Sequence, residues 1–527
     1  MPFSFREREK SLSYLKNREW DCVVIGGGIT GAAVARDAAL RGLKVALLEA
    51  EDFASGTSSG SSKLIHGGLR YLENFEFGLV REAIHERESL RRLYAPFVQD
   101  LHFVFPTYTH QPPPRWKLNI GLTLYDFFAS FRDKHTNVNA AEARAKFAML
   151  NRNGLTGACV YTDSFAEDYR LVIELVKSAH RHSAVCLNRL KVEGLQSLES
   201  GRVELTARDL LSGTETFVIR ANAIFNCTGP YADRVREKLG LSPTLQLTQG
   251  VHFLLPKERL PIDKAFVLSD PRLHRILFAI PWGPTTYLGT TDTTVARPED
   301  AKATSEDVAY VLSIANRFFN TNLVPADIFQ SWSGTRPLIK PADVTSNSAI
   351  SREHQLEENP TNVFHLLGGK LTSHRAMADE ALNKLSKKRK IGRTKVFSLP
   401  LQDALWDEKA STNPPHLARS YGRFAHDILR IDRERDLKMQ KISPVFPHLV
   451  AEVIYSIQEE MCIEPLDFLK RRSSLYYWTN IANSDHLDAV KKVADIFALE
   501  RGLASHDANA LLEKTLLSYK RDREAFA

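Results

Sequence analysis

Residues 22–49 contain the feature that most restricts the fold: a strand, a glycine-rich turn, a helix and a second strand, in the sequence CVVIGGGITGAAVARDAALRGLKVALLE. Gly26, Gly28 and Gly31 have the G-x-G-x-x-G spacing of a dinucleotide-binding turn. The first glycine permits a tight turn, the second leaves room for a pyrophosphate, and the third lets the helix pack closely on the strand. The phosphates would lie at the helix N-terminus, where unpaired N–H groups favour anions. The second strand delivers Glu49, whose carboxylate can accept hydrogen bonds from ribose hydroxyls. These residues predict a nucleotide-binding βαβ unit.

The length and charge of the chain set the broad class. A chain of 527 residues exceeds what one hydrophobic core usually supports, so we expect two or three domains. The net charge of +7 is compatible with an ordinary solvated surface, with anionic substrates, with lipid head groups or with nucleic acid. No stretch reaches the roughly eighteen apolar residues of a membrane-spanning helix. The N-terminal segment mixes acidic and basic side chains without an apolar core, which favours the lead-in helix of a cytoplasmic protein.

The cysteines argue against a disulfide framework or a zinc site. Five of them lie far apart and form no C-x-x-C pair: Cys22, Cys159, Cys186, Cys227 and Cys462. We therefore predict no metal site and a reducing compartment.

Residues 52–73, DFASGTSSGSSKLIHGGLRYLE, form a loop of small residues with a basic and aromatic end. The part SSKLIHGGLRYLE resembles the signature of the bacterial FAD-dependent, aerobic glycerol-3-phosphate dehydrogenases, and it follows the glycine turn as it does in that family. Gly60, His374, Tyr169 and Arg170 depart from the residues that are frequent in the family. Further segments resemble the family in the same order: TDSFAEDYRLV (162–172), AIFNCTGPYAD (223–233), QGVHFLLP (249–256), HRILFAIPW (274–282), YLGTTDT (287–293), WSGTRPL (332–338) and LLGGKLTSHR (366–375).

The resemblance implies an α/β fold of three parts. The first is a discontinuous FAD-binding Rossmann-like domain formed by residues 18–90, 150–245 and 340–395. An α+β substrate domain of the D-amino-acid-oxidase-like type, residues 91–149 and 246–339, is inserted into it. An all-α cap domain, residues 400–527, closes the chain, and apolar residues at helical spacing in that region agree with it. No EF-hand pattern is present there, which favours the bacterial type over a calcium-regulated one.

The resemblance also implies which residues hold the FAD. They come from the glycine turn, the end of the second strand, the small-residue loop, a strand near residue 192, the CTG segment and the late GGK turn. They are Gly26, Gly28, Ile29, Thr30, Gly31, Glu49, Ser58, Ser59, Ser62, Lys63, His66, Gly67, Val192, Thr228, Gly229, Gly369, Lys370, Leu371 and Thr372.

Glycerol 3-phosphate, the substrate implied by the family, is a small dianion that carries a secondary alcohol. Arginine suits the phosphate because its planar fork makes paired, charge-assisted hydrogen bonds to the oxygens. By resemblance the candidates are Arg70, Arg275 and Arg336, with Tyr71 as a further contact. The alternative for each arginine is an internal ion pair with Asp or Glu, and Asp292 is interpreted as structural.

Two residues are assigned to the chemistry in addition to Arg336. His252 is the first candidate for the general base, because an imidazole titrates near neutral pH and can accept the hydroxyl proton. A buried core histidine is the alternative for His252, and His66 is the competing base. Lys370 precedes a predicted helix, and its ammonium would stabilise negative charge that builds on the flavin. Covalent attachment of the flavin is left open.

Residues 115–132, RWKLNIGLTLYDFFASFR, predict a helix with an apolar, aromatic face and basic ends. An interfacial helix on anionic lipid has these properties, and an ordinary core-facing helix is the alternative. Family members are peripheral membrane enzymes that pass electrons to quinone, so the resemblance implies a cytoplasmic protein attached to the inner face of the cell membrane. The face contains Trp116, Ile120, Leu124, Phe127, Phe128 and Phe131, and the flanking cations are Arg115, Lys117, Arg132 and Lys134.

Three alternative functions stay open at this point. A glycerol-3-phosphate oxidase would pass electrons to oxygen and release hydrogen peroxide. An amine or amino-acid oxidase on the same fold would recognise a carboxylate with fewer cations. A basic flavoprotein that binds RNA belongs to another class, but no interleaved aromatic and basic motif supports it, so no nucleic-acid partner is predicted. The sequence does not decide the oligomeric state, and a homodimer is one option.

Overall fold

The computed structural model describes residues 3–69, 76–109, 111–273, 275–340, 354–403 and 414–526. The strands are β1 Glu19–Trp20, β2 Cys22–Ile25, β3 Val45–Leu48, β4 Leu64–Ile65, β5 Val98–Tyr108, β6 Thr136–Asn139, β7 Leu155–Ala166, β8 Val185–Leu187, β9 Leu190–Ser197, β10 Val203–Asp209, β11 Thr216–Ala221, β12 Ile224–Asn226, β13 Leu245–Pro256, β14 Ala265–Asp270, β15 Arg275–Trp282, β16 Thr285–Gly289, β17 Thr293–Val295, β18 Gln330–Ile339, β19 His354–Asn359 and β20 Val363–Gly368. The helices are α1 Arg8–Lys16, α2 Ile29–Leu40, α3 Phe77–Leu93, α4 Arg115–Phe128, α5 Ala140–Lys146, α6 Asp168–Arg181, α7 Ala232–Glu237, α8 Ser305–Phe318, α9 His374–Ser386, α10 Pro415–Tyr421, α11 Ala425–Glu434, α12 Val450–Glu459, α13 Pro465–Arg471, α14 Leu475–Trp478, α15 Ser484–Arg501 and α16 Ser505–Arg521.

The nucleotide-binding unit lies in a six-stranded sheet with the strand order β19-β20-β12-β2-β3-β8. Its strands are parallel except β19, which pairs antiparallel with β20 at the edge. β2 and β3 are apolar throughout and fully buried, as expected for strands covered on both faces. The alanine-rich helix α2 packs against α6 and α9, so these three helices cover the sheet closely. A separate four-stranded sheet, β1-β11-β10-β9, adjoins this layer.

A larger sheet carries the residues predicted to bind substrate. Its strands follow the order β17-β13-β16-β15-β14-β5-β7-β4, with β18 paired to β13 and β6 paired to β7. The predicted boundary at residue 150 differs from the structure here, because β7 pairs antiparallel with β5 along most of its length and so belongs to the larger sheet. Residue 168, where α6 begins, is the point at which the chain returns to the six-stranded layer.

Seven helices, α10 to α16, form the described part of the C-terminal region, as predicted. They pack on the larger sheet through one apolar cluster that includes Trp282, Trp332, Phe468, Leu475 and Tyr477. The predicted fold class, an α/β cofactor domain with an α+β substrate domain and an all-α C-terminal domain, is confirmed. In the described ranges, no helix combines the length and the apolar character needed to cross a membrane.

Candidate active site

Four parallel strands of the six-stranded sheet end at one edge, and each is followed by a predicted cofactor residue. β2 leads into Gly26, β3 into Glu49, β12 to the turn with Thr228, and β20 into Gly369. In open α/β sheets, ligands bind outside the carboxyl ends of the strands. The fold therefore brings together segments that lie far apart in the chain.

The glycine turn has the geometry of a phosphate cradle. Gly26 has φ +103°, and a β-carbon at position 31 would lie 1.9 Å from the Gly26 carbonyl oxygen, so the helix can approach the turn only at glycine. α2 begins at Ile29 with no acidic residue in its first turn, and Gly28 caps it without a side-chain hydrogen bond. Main-chain N–H groups at a helix N-terminus favour a pyrophosphate. These residues fit an FAD diphosphate.

Glu49 and Ser58 lie against this turn. One Glu49 carboxylate oxygen accepts a hydrogen bond from the Gly27 N–H at 2.6 Å, and the other accepts one from the Glu51 N–H at 2.8 Å. Burial raises the pKa of the Glu49 carboxyl, while these backbone hydrogen bonds oppose the shift. Ser58 Oγ accepts a hydrogen bond from the Ile29 N–H at 2.9 Å. Glu49 therefore contacts the glycine turn, and Ser58 contacts the first turn of α2.

The serine loop, defined here as residues 52–63, runs from this turn toward the larger sheet, and Lys63 at its end differs from the prediction. Its side chain is 0% exposed, and its ammonium lies 2.7 Å from an Asp168 carboxylate oxygen. The ammonium therefore points into the interior and is not placed for a cofactor contact, so only the backbone of Lys63 can serve the predicted role. Ser59 is buried and Ser62 is half-buried within the same loop.

Two residues beyond the loop have different surroundings. The Gly67 N–H donates to Tyr125 Oη at 2.8 Å and to Asp163 Oδ1 at 3.2 Å, so it is already engaged by protein groups. A cofactor contact through this N–H is therefore not supported. His66 is exposed.

The remaining cofactor candidates lie near the same edge or next to the main core. The Leu190 N–H donates to the Glu49 carbonyl oxygen at 2.8 Å, which places β9, with the half-buried Val192, beside the end of β3. Thr228 and Gly229 lie in the turn that follows β12. The turn that follows β20 contains Gly369, Lys370, Leu371 and Thr372. Thr30 is half-buried in the first turn of α2.

Lys370 is not directly followed by a helix. α9 begins at His374, so the expected helix N-terminus lies one turn further along the chain. The Lys370 N–H donates to Ser373 Oγ at 3.3 Å within the intervening turn. The predicted contribution of a helix dipole at Lys370 is therefore weakened, because that effect falls off within the first turn.

Two of the predicted substrate arginines meet at Asp292. Arg275 donates to the Asp292 carbonyl oxygen at 2.8 Å, and Arg336 donates to the Asp292 carboxylate at 3.2 Å and to Thr290 Oγ1 at 3.1 Å. Arg336 remains partly exposed, with 24% of its side chain accessible. The structure therefore brings two cations to one residue, Arg275 at its carbonyl oxygen and Arg336 at its carboxylate. The other two substrate candidates, Arg70 and Tyr71, lie outside the described residues.

His252 is almost completely buried, with 1% exposure. Its ring stacks on Trp332 at a centroid distance of 4.5 Å, and Nε2 lies 2.8 Å from Ser62 Oγ. Burial, helped by the positive charges of Arg336 and Lys63, holds the pKa of His252 well below its usual value. The expectation that His252 titrates near neutral pH is therefore wrong, and the imidazole is neutral at physiological pH.

The sequence did not single out the groups that surround Lys63. Asp168 lies in the segment TDSFAEDYRLV and Trp332 in WSGTRPL, so both stood inside recognised motifs. Tyr477 stands in the run EPLDFLKRRSSLYY at residues 464–477, which carries no motif of its own. A lysine directly after a serine-rich loop indicates no particular partner, since its ion pair is formed across the fold.

Comparison with known proteins agrees with this geometry. The family described as FAD dependent oxidoreductase matches residues 21–383, and the one described as C-terminal domain of alpha-glycerophosphate oxidase matches residues 360–508. An aerobic glycerol-3-phosphate dehydrogenase of Staphylococcus saprophyticus is 32% identical over 94% of each chain. The corresponding protein of Bacillus subtilis is 32% identical over 90% of this chain and 91% of its own. The chain belongs to the FAD-dependent glycerol-3-phosphate dehydrogenases.

Two solved structures have the same fold as this chain. The glycerol-3-phosphate dehydrogenase of Bacillus halodurans, solved with FAD, superimposes with a TM-score of 0.79 at 25% identity and covers 100% of this chain and 99% of its own. An L-alpha-glycerophosphate oxidase of Mycoplasma pneumoniae has a TM-score of 0.58 at 16% identity over 72% of this chain and 97% of its own, which shows the fold alone. The resemblance seen in the sequence is confirmed, and FAD is the cofactor.

Proposed function

We propose that the protein oxidises sn-glycerol 3-phosphate to dihydroxyacetone phosphate and passes the electrons to a membrane quinone. The observation that carries the substrate assignment is the convergence of Arg275 and Arg336 on Asp292. An anion that enters between these cations can replace the carboxylate contact of Arg336 with a phosphate contact. Arg70 and Tyr71 are proposed to complete the substrate site.

The position of Arg336 relative to the cofactor edge supports this assignment. β18, which carries Arg336, lies against the serine loop, where Thr57 Oγ1 donates to the Thr335 carbonyl oxygen at 2.5 Å. β18 also contacts β20, whose carboxyl end leads to Lys370. A phosphate held at Arg336 would therefore keep the attached alcohol close to the edge where the cofactor residues meet.

The chemistry requires that C2 of the substrate lose a hydride and that its hydroxyl lose a proton. FAD supplies the hydride acceptor when it is bound. Arg336 and Arg275 hold the phosphate, and Lys370 supplies a positive charge near the cofactor. We assign the remaining predicted cofactor residues to binding of the FAD, except for the Gly67 N–H, which protein groups already engage, and with Lys63 contributing only backbone atoms.

The hydrogen bond between Ser62 and His252 suggests how the hydroxyl proton is handled. Ser62 is half-buried in the serine loop, and its Oγ lies 2.8 Å from His252 Nε2. A hydroxyl proton can therefore pass to Ser62 Oγ while the serine proton moves to Nε2. Because Ser62 is half-buried, the proton then returns from Nε2 through Ser62 Oγ to solvent.

The exposed face of α4 supports attachment to the membrane. Trp116 and Ile120 are 67% and 62% exposed, and Phe127 is 61% exposed on the same helix. Arg115 and Lys117 at the start of α4, and Arg132 and Lys134 after it, supply positive charge. Such a helix inserts its apolar side into anionic lipid. We propose that α4 holds the enzyme at the cytoplasmic face of the membrane, where a lipid-soluble quinone is available.

An anaerobic titration tests the substrate assignment. Addition of sn-glycerol 3-phosphate to the flavin-loaded protein should bleach the flavin absorbance, whereas glycerol, which lacks the phosphate, should not do so at the same concentration. Bleaching by neither compound would contradict the assignment. Bleaching by both would show that the arginines do not select the substrate through its phosphate.

Oxygen is the second candidate for the electron acceptor. The match of residues 360–508 to the C-terminal domain of alpha-glycerophosphate oxidase favours it. Turnover with a quinone analogue in air separates the two acceptors. A dehydrogenase should reduce the quinone and release little hydrogen peroxide, whereas an oxidase should release peroxide in proportion to substrate consumed.

A further inference from the structure

The C-terminal helical region contacts both ends of the serine loop. Arg471, Arg472 and Tyr477, which lie within seven residues of one another at α13 and α14, contact Asp52 at one end and Lys63 at the other. We propose that this C-terminal segment is a positioning element for FAD, because it holds the serine loop in the conformation that meets the cofactor.

The first contact is a buried ion cluster at Asp52. Arg472 donates to both Asp52 carboxylate oxygens at 3.0 Å, and Arg471 donates to Oδ2 at 2.6 Å. The side chains of Asp52 and Arg472 are both 0% exposed. Burial opposes the charged form of Asp52, but the two guanidinium groups outweigh it and lower the pKa of this carboxyl. A buried ion pair of this kind loses much stability when one partner is removed.

The residues after Asp52 are in direct contact with the glycine turn. A β-carbon at Gly27 would lie 2.6 Å from the ring of Phe53, and the Ala54 N–H donates to the Gly27 carbonyl oxygen at 3.0 Å. Displacement of Asp52 would therefore move groups that pack against the predicted phosphate cradle.

The second contact is an aromatic cage around the Lys63 ammonium. Besides the ion pair with Asp168, the ammonium lies 5.1–5.5 Å from the centroids of four rings, those of Tyr169, Trp282, Trp332 and Tyr477. Cation–π attraction is strongest where the cation is removed from water, as here. Tyr477 is the ring that the C-terminal region adds to a cage otherwise formed by the larger sheet and α6.

Hydrogen bonds connect this cage to the loop backbone. Asp168 accepts from the Ser61 N–H at 3.1 Å and from Ser61 Oγ at 2.6 Å. Trp332 Nε1 donates to the Ser61 carbonyl oxygen at 3.2 Å, and Tyr287 Oη donates to the Ser62 carbonyl oxygen at 2.7 Å. The conformation of Ser62 is therefore tied to the packing of the cage.

The composition of the loop explains why such anchors matter. The sequence between the anchors, FASGTSSGSS, is rich in glycine and serine and is flexible by itself. Without fixed ends, binding FAD would require ordering the loop, and that entropy cost would appear as weaker affinity. Anchored ends place Ser58 at the start of α2 before the cofactor binds.

Neighbouring tyrosines on α14 provide a matched test. Tyr477 faces the Lys63 cage, whereas Tyr476, also fully buried, stacks on Tyr519 of α16 at 4.1 Å. We expect Tyr477→Leu to raise the FAD dissociation constant at least about tenfold, measured from the fluorescence of FAD released on dilution of the full-length holoenzyme. Tyr476→Leu should change it less than about threefold, and Tyr477→Phe, which retains the ring, should restore it. No substrate is needed, so this result is independent of the proposed oxidation.

A second pair of variants tests the Asp52 end. Arg472→Lys keeps the charge but loses the paired hydrogen bonds to Asp52, and it should also weaken FAD binding about tenfold. The control is Lys470→Arg, because Lys470 pairs with Asp522 of the C-terminal region and does not touch the loop. Circular dichroism melting of all variants separates local from global effects. The proposal is overturned if Tyr477→Leu and Arg472→Lys bind FAD as tightly as their controls, or if FAD affinity follows melting temperature equally in all five variants.

Discussion

The backbones of Gly60 and Gly334 are in direct contact. A β-carbon at position 334 would lie 2.2 Å from the Gly60 carbonyl oxygen, and one at position 60 would lie 2.7 Å from Gly334 Cα. This contact joins the serine loop to β18 two residues before Arg336. It also explains why glycine occupies position 60, because a β-carbon there would overlap the backbone of β18.

Gly334→Ala should therefore weaken both cofactor binding and turnover. The added methyl group must push the serine loop away from β18, and overpacking of this kind costs about 1–3 kcal/mol. We expect FAD affinity and kcat/KM to fall about tenfold each, measured by flavin release and steady-state kinetics. Gly56→Ala is the control, because a β-carbon at Gly56 in the same loop has no atom within 4 Å. Equal behaviour of the two variants would show that the contact does not matter.

Arg336→Ala should raise KM and lower kcat/KM by about 2–4 kcal/mol of transition-state stabilisation, the range for a charge-assisted contact that the bound substrate shields from water. Arg336→Lys should recover only part of this loss, because an ammonium cannot make the paired contact. Arg259 pairs with Asp327 in the same part of the fold at the surface, so Arg259→Ala should leave the kinetics unchanged. Native kinetics for a flavin-loaded Arg336→Ala enzyme would remove Arg336 from the site.

His252→Asn should lower kcat by a factor that is constant between pH 6 and 9. Burial keeps the pKa of His252 well below its usual value, so the imidazole stays neutral over this range and does not itself titrate. Ser62→Ala removes the hydrogen-bond partner and should lower kcat by a similar factor. The measurement is kcat against pH in both variants. If the plot of kcat against pH for the parent enzyme has a limb near pH 6–7 that disappears in His252→Asn, the imidazole instead titrates in that range.

Replacement of Trp116 and Phe127 by serine should reduce binding to anionic vesicles at least about tenfold. Each aromatic side chain contributes about 1.5–3 kcal/mol when it is fully removed from water, so the pair supplies much of the insertion energy. Leu499→Ser/Leu517→Ser is the matched control, since these side chains are 79% and 65% exposed on α15 and α16. Co-sedimentation with vesicles at low salt measures the effect. An equal loss in both double variants would argue against a specific role of α4.

The local parts of the site followed from the sequence. The spacing of Gly26, Gly28 and Gly31 predicted the turn, and the contact that requires Gly31 lies within the same βαβ unit, since a β-carbon there would lie 1.9 Å from the Gly26 carbonyl oxygen. The apolar face of α4 was likewise visible as a helical repeat, and its exposure was left to the structure because an interfacial face and a core face have the same periodicity. The order of the family motifs along the chain predicted the cofactor and the family.

The tertiary structure decided which distant segments of the chain pair with each other. β7 joins the larger sheet because it pairs with β5, and antiparallel pairing of this kind leaves no local signal that separates it from a cofactor-domain strand. Lys63 faces the interior because Asp168 and Tyr477 meet it there, although more than a hundred residues separate each of them from it along the chain. The low pKa of His252 depends on burial and on neighbouring charges, which only the folded chain brings together. The sequence alone thus determined the nucleotide-binding unit and the chemistry available, because these depend on residue type and short spacing. The fold determined which charged side chains stay accessible, because accessibility depends on what packs around them.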